Sequence, residues 1–76
     1  MARIRLLAEG SQQVSVHPTE VDCYYQVVVG SDGETYLHLT TFGSDGRRSE
    51  PKSSQSIQLS RGVAEELVRV IERTFH

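Results

Sequence analysis

The chain has 76 residues, 24% of them charged, and a formal net charge of −2, with an isoelectric point near 5.8. That length leaves room for one domain spanning residues 1–76 and no second core, and the acidic balance argues against a generic polyanion binder, which is basic overall. A chain this short buries only about 60% of its unfolded surface, so something must supplement the core. Cys23 is the one cysteine, which excludes an internal disulfide. Cys23, His17, His38 and His76 have no ligand spacing for a structural zinc. Association into a homodimer is therefore the expected supplement. No run approaches the ~18 apolar residues of a membrane span. The start, Met-Ala-Arg-Ile-Arg, has no apolar leader core, and a single cysteine suits a reducing cytoplasm.

In chain order, residues 3–8 and 13–16 read as one or two strands, separated by Glu9-Gly10-Ser11. Residues 17–20, His-Pro-Thr-Glu, read as a loop. Residues 22–29 and 34–42 alternate with period two and are rich in β-branched and aromatic side chains, so both are predicted strands. Gly30-Ser31-Asp32-Gly33 between them is hairpin chemistry, with Asp-Gly expected to take the positive φ angles. The same tetrapeptide recurs at 43–46, but its flanks do not match and its acidic spacing is not that of a calcium loop. Residues 55–59 form a last predicted strand. Residues 61–75 are a predicted helix, with Ala64, Leu67, Val68, Ile71 and Phe75 on one stripe and Ser60 as its N-cap. Val63 and Val70 widen that stripe to roughly 160°, where covering a sheet needs about 100°; the excess predicts a second contact, which a dimer partner would supply. The expected fold is α+β: an antiparallel sheet of four to five strands with one C-terminal helix packed on one face, ββββα.

The alternation divides the sheet into two faces. Tyr25, Val27, Val29, Leu37, Leu39, Ile57 and Leu59 are the more apolar set and are expected to meet Leu67, Ile71 and Phe75, with Cys23 a small buried hydrophobe on the same alternation. The other face carries Tyr24, Gln26, Val28, Tyr36, His38, Thr40, Phe42, Ser56 and Gln58, rings set among amides and hydroxyls where a solvent-facing sheet would carry Lys, Glu and Thr. Three arrangements account for such a face: a cover of N-terminal strands, a dimer interface, or a stacking platform for unpaired bases. The connection after Phe42 holds Arg47, Arg48 and Lys52, the groups that phosphate contacts need. Arg3 and Arg5 add a basic rim.

Catalytic chemistry is absent from the sequence. There is no Gly-rich phosphate loop, no metal-ligand pair, and no base placed for a serine nucleophile. The expectation is a non-enzyme without a cofactor.

The stretch Tyr-Tyr-Gln-Val-Val-Val, an Asp-Gly turn, Tyr-Leu-His-Leu-Thr-Thr-Phe, a basic loop, and Ser-Ile-Gln-Leu-Ser running into an amphipathic helix covers residues 23–75. It resembles the Pur-alpha, Whirly and positive-coactivator-type single-stranded DNA-binding domains. The step Ile57-Gln58-Leu59-Ser60 is similar to the coactivator type's entry into its helix, whereas the Lys-Lys-Gly run before that strand reads Ser-Ser-Gln here, and the chain has no tryptophan. The resemblance implies a homodimer that binds single-stranded DNA or RNA. Its site residues would be Tyr24, Tyr36 and Phe42 on the sheet, with Arg47, Arg48 and Lys52 on the loop; the reading of the open face adds His38 to them. The alternative reading is a dimeric protein-interaction or regulatory module with no nucleic-acid ligand.

Overall fold

The structure, a computed structural model, describes residues 1–43 and 53–76. Its elements are β1 (Ala2–Arg3), β2 (Asp22–Val29), β3 (Thr35–Phe42), β4 (Ser53–Leu59) and α1 (Arg61–Phe75). They form one four-stranded sheet in the order β1-β4-β3-β2, with the helix against β3 and β4. The α+β class and the ββββα order match the sequence reading.

The hairpin β2–β3 is the longest pairing, running in antiparallel register from Asp22 opposite Phe42 to Val29 opposite Thr35. Its connection is closed by Gly33 N–H donating to Gly30 O at 2.9 Å and by Gly30 N–H donating to Glu34 O at 2.8 Å. Within this connection only Gly33 takes a positive φ, 83°, so the turn is followed by one left-handed glycine, as in three-residue hairpins. Asp32, expected to share that conformation, instead accepts the Glu34 N–H on its Oδ1 at 2.9 Å. β4 pairs antiparallel with β3 and shifts register between Thr41 and Phe42.

The N-terminal part differs most from expectation. β1 is two residues long and joins the far edge of the sheet parallel to β4, Ala2 beside Ile57 and Arg3 beside Gln58, so the sheet is mixed rather than antiparallel throughout. Residues 4–21 separate β1 from β2, long enough for the chain to cross to the opposite edge, and no tight turn imposes antiparallel pairing. After Ile4 N–H donates to Gln58 O, the chain leaves the sheet and runs beside the helix. Leu7, Ala8 and Glu9 border a recess shared with Glu66, Leu67, Val70, Arg73 and Thr74. Residues 13–16 form no strand, and Val14 and Val16 are exposed. With only two apolar side chains, that run gains too little from pairing to offset the entropy of ordering it.

The helix begins at Ser60 as expected, but the Ser60 hydroxyl makes no capping bond. Its half-buried side is Val63, Ala64, Leu67 and Val70, rotated from the predicted stripe toward Val63 and Val70. Val68, Ile71 and Phe75, three and four residues apart, make a second apolar ridge that stays exposed. Arg61–Glu65 and Arg69–Glu66 pairs line the polar side at 3.2 and 3.0 Å, worth a few tenths of a kcal/mol each at the surface.

A helix about 10–12 Å across covers roughly two strands spaced about 4.8 Å apart. Accordingly Leu59, on β4 beneath the helix, is the buried hydrophobic residue at 2% exposure, while all eight residues of β2 are exposed. Tyr25, Val27 and Val29 lie on the helix side by register yet meet no helix, and Cys23 is exposed rather than buried for the same reason. The accessible surface is 7144 Å², where a folded 8.5 kDa chain is expected to expose about 4,700 Å².

Leu59→Ala is expected to destabilise the fold by about 2–5 kcal/mol, the range for emptying a core leucine site. Urea denaturation followed by circular dichroism measures it; a loss under about 1 kcal/mol would show that the core lies elsewhere.

Candidate nucleic-acid interface

Opposite residues of a sheet share a face. The registers therefore put Tyr24 with Thr40 and Ser56, Gln26 with His38 and Gln58, and Val28 with Tyr36 on the side away from the helix. The parallel pairing adds Arg3 beside Gln58. The two-face division read from the alternation is thus the one the structure adopts, and the N-terminal segment, which runs along the helix, leaves the second face uncovered among the described residues.

Two aromatic centres stand at its ends. Tyr24 and Phe42 meet edge to face, ring centroids 5.4 Å apart at 81°, a geometry favoured by their quadrupoles. Tyr24 projects outward, 61% exposed, and Phe42 is half-buried behind it. At the other end the Arg3 guanidinium carbon lies 5.9 Å from the centroid of Tyr36, within the reach of a cation–π contact, and Arg3 Nη1 is 3.5 Å from the Tyr36 hydroxyl. Arg3, Ile4, Arg5, Tyr36 and Ser60 line an open recess of about 350 Å³ there.

Between the two centres runs a chain of hydrogen bonds. Gln58 Nε2 is 3.1 Å from His38 Nδ1, and His38 Nε2 is 2.7 Å from Thr40 Oγ1. Ser56 Oγ donates to Thr40 Oγ1 at 3.3 Å. An amide nitrogen can only donate, so Nδ1 is the acceptor and the ring carries its proton on Nε2, directed at Thr40. This network ties down the half-buried His38 side chain between β3 and β4.

Tyr24, Tyr36, His38 and Phe42 are therefore brought to one face, as two separated ring centres with the histidine between them. Arg47, Arg48 and Lys52 lie outside the described residues. The contribution of Arg3 to the Tyr36 centre was beyond sequence reasoning in its detail, because it depends on the parallel register of β1. The basic residues of Met1–Arg5 carried the only signal, a charged rim. Among the described residues no group of three or more His, Cys, Asp or Glu is placed to hold a metal ion, and no helix is long and apolar enough to cross a membrane. Comparison with known proteins returns no matching family model, no matching curated protein and no matching solved structure.

The neutral His38 ring is expected to show the Nε2–H tautomer in its nitrogen chemical shifts. The Nδ1–H tautomer would mean that the Gln58 amide is turned over and the network runs in the opposite sense.

Proposed function

We propose that the chain binds unpaired nucleic-acid strands as a homodimer, through the sheet face that the helix does not cover. The observation that carries this reading is the composition of that face. Tyr24 with Phe42, and Tyr36 with Arg3, offer rings and a guanidinium on which bases stack irrespective of sequence. Gln26, His38, Thr40, Ser56 and Gln58 lie between them as neutral hydrogen-bonding groups, and the one strand carboxylate on this side, Asp22, stands at the end of β2. A base plane needs a flat, weakly charged floor, and a phosphate needs cations at the margin. Arg3 and Arg5 supply the margin at the β1 edge, and Arg47, Arg48 and Lys52, outside the described residues, are the further cations that the sequence offers on the connection after Phe42. The likeness to single-strand-binding domains over residues 23–75 supports the same reading. A duplex, whose bases are already stacked, offers this floor nothing.

Fluorescence anisotropy of a labelled single-stranded oligonucleotide, against the same sequence as duplex, tests it. Tighter binding to the single strand is expected. Tyr24→Ala and Tyr36→Ala should each lose about 1–3 kcal/mol of affinity, about 5- to 150-fold in Kd, with little change in salt dependence. Arg47→Ala with Arg48→Ala should flatten the salt slope by about one unit for each phosphate no longer neutralised. No binding at low salt, where electrostatic attraction is strongest, would leave the protein-interaction module as the better reading.

A further inference from the structure

The uncovered edge of the sheet deepens the homodimer part of that proposal and needs nothing of its nucleic-acid part. Gly30 N–H donates to Glu34 O, and antiparallel strands exchange hydrogen bonds at every second residue. The even-numbered residues of β2 therefore turn their backbone groups toward β3. Cys23, Tyr25, Val27 and Val29 turn theirs outward, an open row of four N–H and four C=O groups. A long edge strand without charge is a ready template for another strand. From Cys23 to Val29 this one has neither a charged residue nor a proline.

The side chains at that edge are exposed as well. Tyr25 is 73% exposed, and Val27 and Val29 nearly as much. Residues 7–9 border the helix on its Glu66, Val70, Arg73 and Thr74 flank. At about 100° per residue, Val68, Ile71 and Phe75 fall on the opposite flank, the one toward β2. Floor and wall together form one apolar step running along the edge.

We infer that a second copy of this chain fills that step by pairing β2 with β2 about a two-fold axis normal to the sheet, at Gln26. Such an axis keeps both helices on one side, so residue i faces residue j only where both lie on the same face. Centring it on Gln26 sets Tyr25 opposite Val27 and Cys23 opposite Val29, satisfies all eight outward backbone groups, and leaves Asp22 outside the ladder. The product is an eight-stranded sheet, β1-β4-β3-β2-β2-β3-β4-β1. Strand spacing of about 4.8 Å puts the two helix axes about 19 Å apart, a gap that Tyr25, Ile71 and Phe75 of both copies fill.

Three observations select a second copy over a foreign partner. The surface is self-complementary and uncharged, so identical strands meet without repulsion. The open step carries six large apolar side chains, Tyr25, Val27, Val29, Val68, Ile71 and Phe75, each 47–79% exposed, the apolar centre that an interface of ~800 Å² per partner needs. With Leu59 the buried hydrophobic residue of one copy among the described residues, a second copy adds apolar cover to a core that is thin on its own. The pairing leaves the face opposite the helices free and makes it continuous, with the two Tyr24 residues about 14 Å apart across the axis.

Two variants test this by oligomeric state alone, with no nucleic acid present. In a Cys23→Ser background, Gln26→Cys places a thiol opposite its own copy at a non-hydrogen-bonded position, where Cα atoms about 4.5 Å apart suit a disulfide. It is expected to oxidise to a covalent dimer, whereas Val28→Cys in the same background is not. Val27→Pro removes an outward N–H that β3 does not use, a position an edge strand tolerates, and should sediment as a folded monomer. A Val27→Pro protein that remains dimeric, or a Gln26→Cys protein that fails to cross-link, overturns the inference. So does a parent chain that sediments as a monomer, which would hand the step to a different partner.

Discussion

One helix of fifteen residues lying across a four-stranded sheet is the constraint from which the rest of the structure follows. Such a helix spans about two strands on one face. It shelters Leu59 and half-buries Leu37 and Leu39, and it leaves β2 bare on both sides. By the usual scaling the chain buries only about 40% of its unfolded surface, where about 60% is normal for its size. Burial at that level offsets less of the entropy of ordering the chain than is usual, and the part still open is the β2 side. The proposed partner supplies that part without touching the face that carries the proposed ligand.

Division of labour between the two faces depends on β alternation held in register over three strands. Because Tyr24, Gln26 and Val28 stand opposite Thr40, His38 and Tyr36, a slip of a single residue would send the aromatic set under the helix and the aliphatic set into solvent. The bond chain Gln58–His38–Thr40–Ser56 crosses β3 and β4 and ties the register to side chains as well as to the backbone ladder. It also fixes the imidazole in one orientation, so the surface between the two ring centres is preorganised. Little side-chain ordering would then be left for a ligand to bear.

Much of this is legible in the sequence because its signals are periodic. The period of two in residues 22–29 and 34–42 gives strands and sheet faces that agree with the structure, and the helical spacing gives the helix but not the side on which it sits. The over-wide helical stripe is legible too. Val68, Ile71 and Phe75 are exposed because the helix sits on its Val63, Leu67 and Val70 side. What cannot be read is anything set by a distant neighbour. The parallel docking of β1 on β4 depends on a path through residues 4–21 whose breaks, at Glu9-Gly10-Ser11 and His17-Pro18-Thr19-Glu20, do not say where the chain goes next. Cys23 is exposed against expectation because alternation tells which face a residue occupies and not how far the helix extends over that face. The same limit applies to Tyr25, Val27 and Val29.

The central claim is that this fold is completed by a second copy of itself. Thermal unfolding measured across a wide range of protein concentrations tests it most directly, because a dimer that dissociates on unfolding is stabilised by mass action. The Tm is expected to climb steadily with concentration. A Tm that stays constant across the range, with the chain sedimenting as a folded monomer throughout, would contradict it.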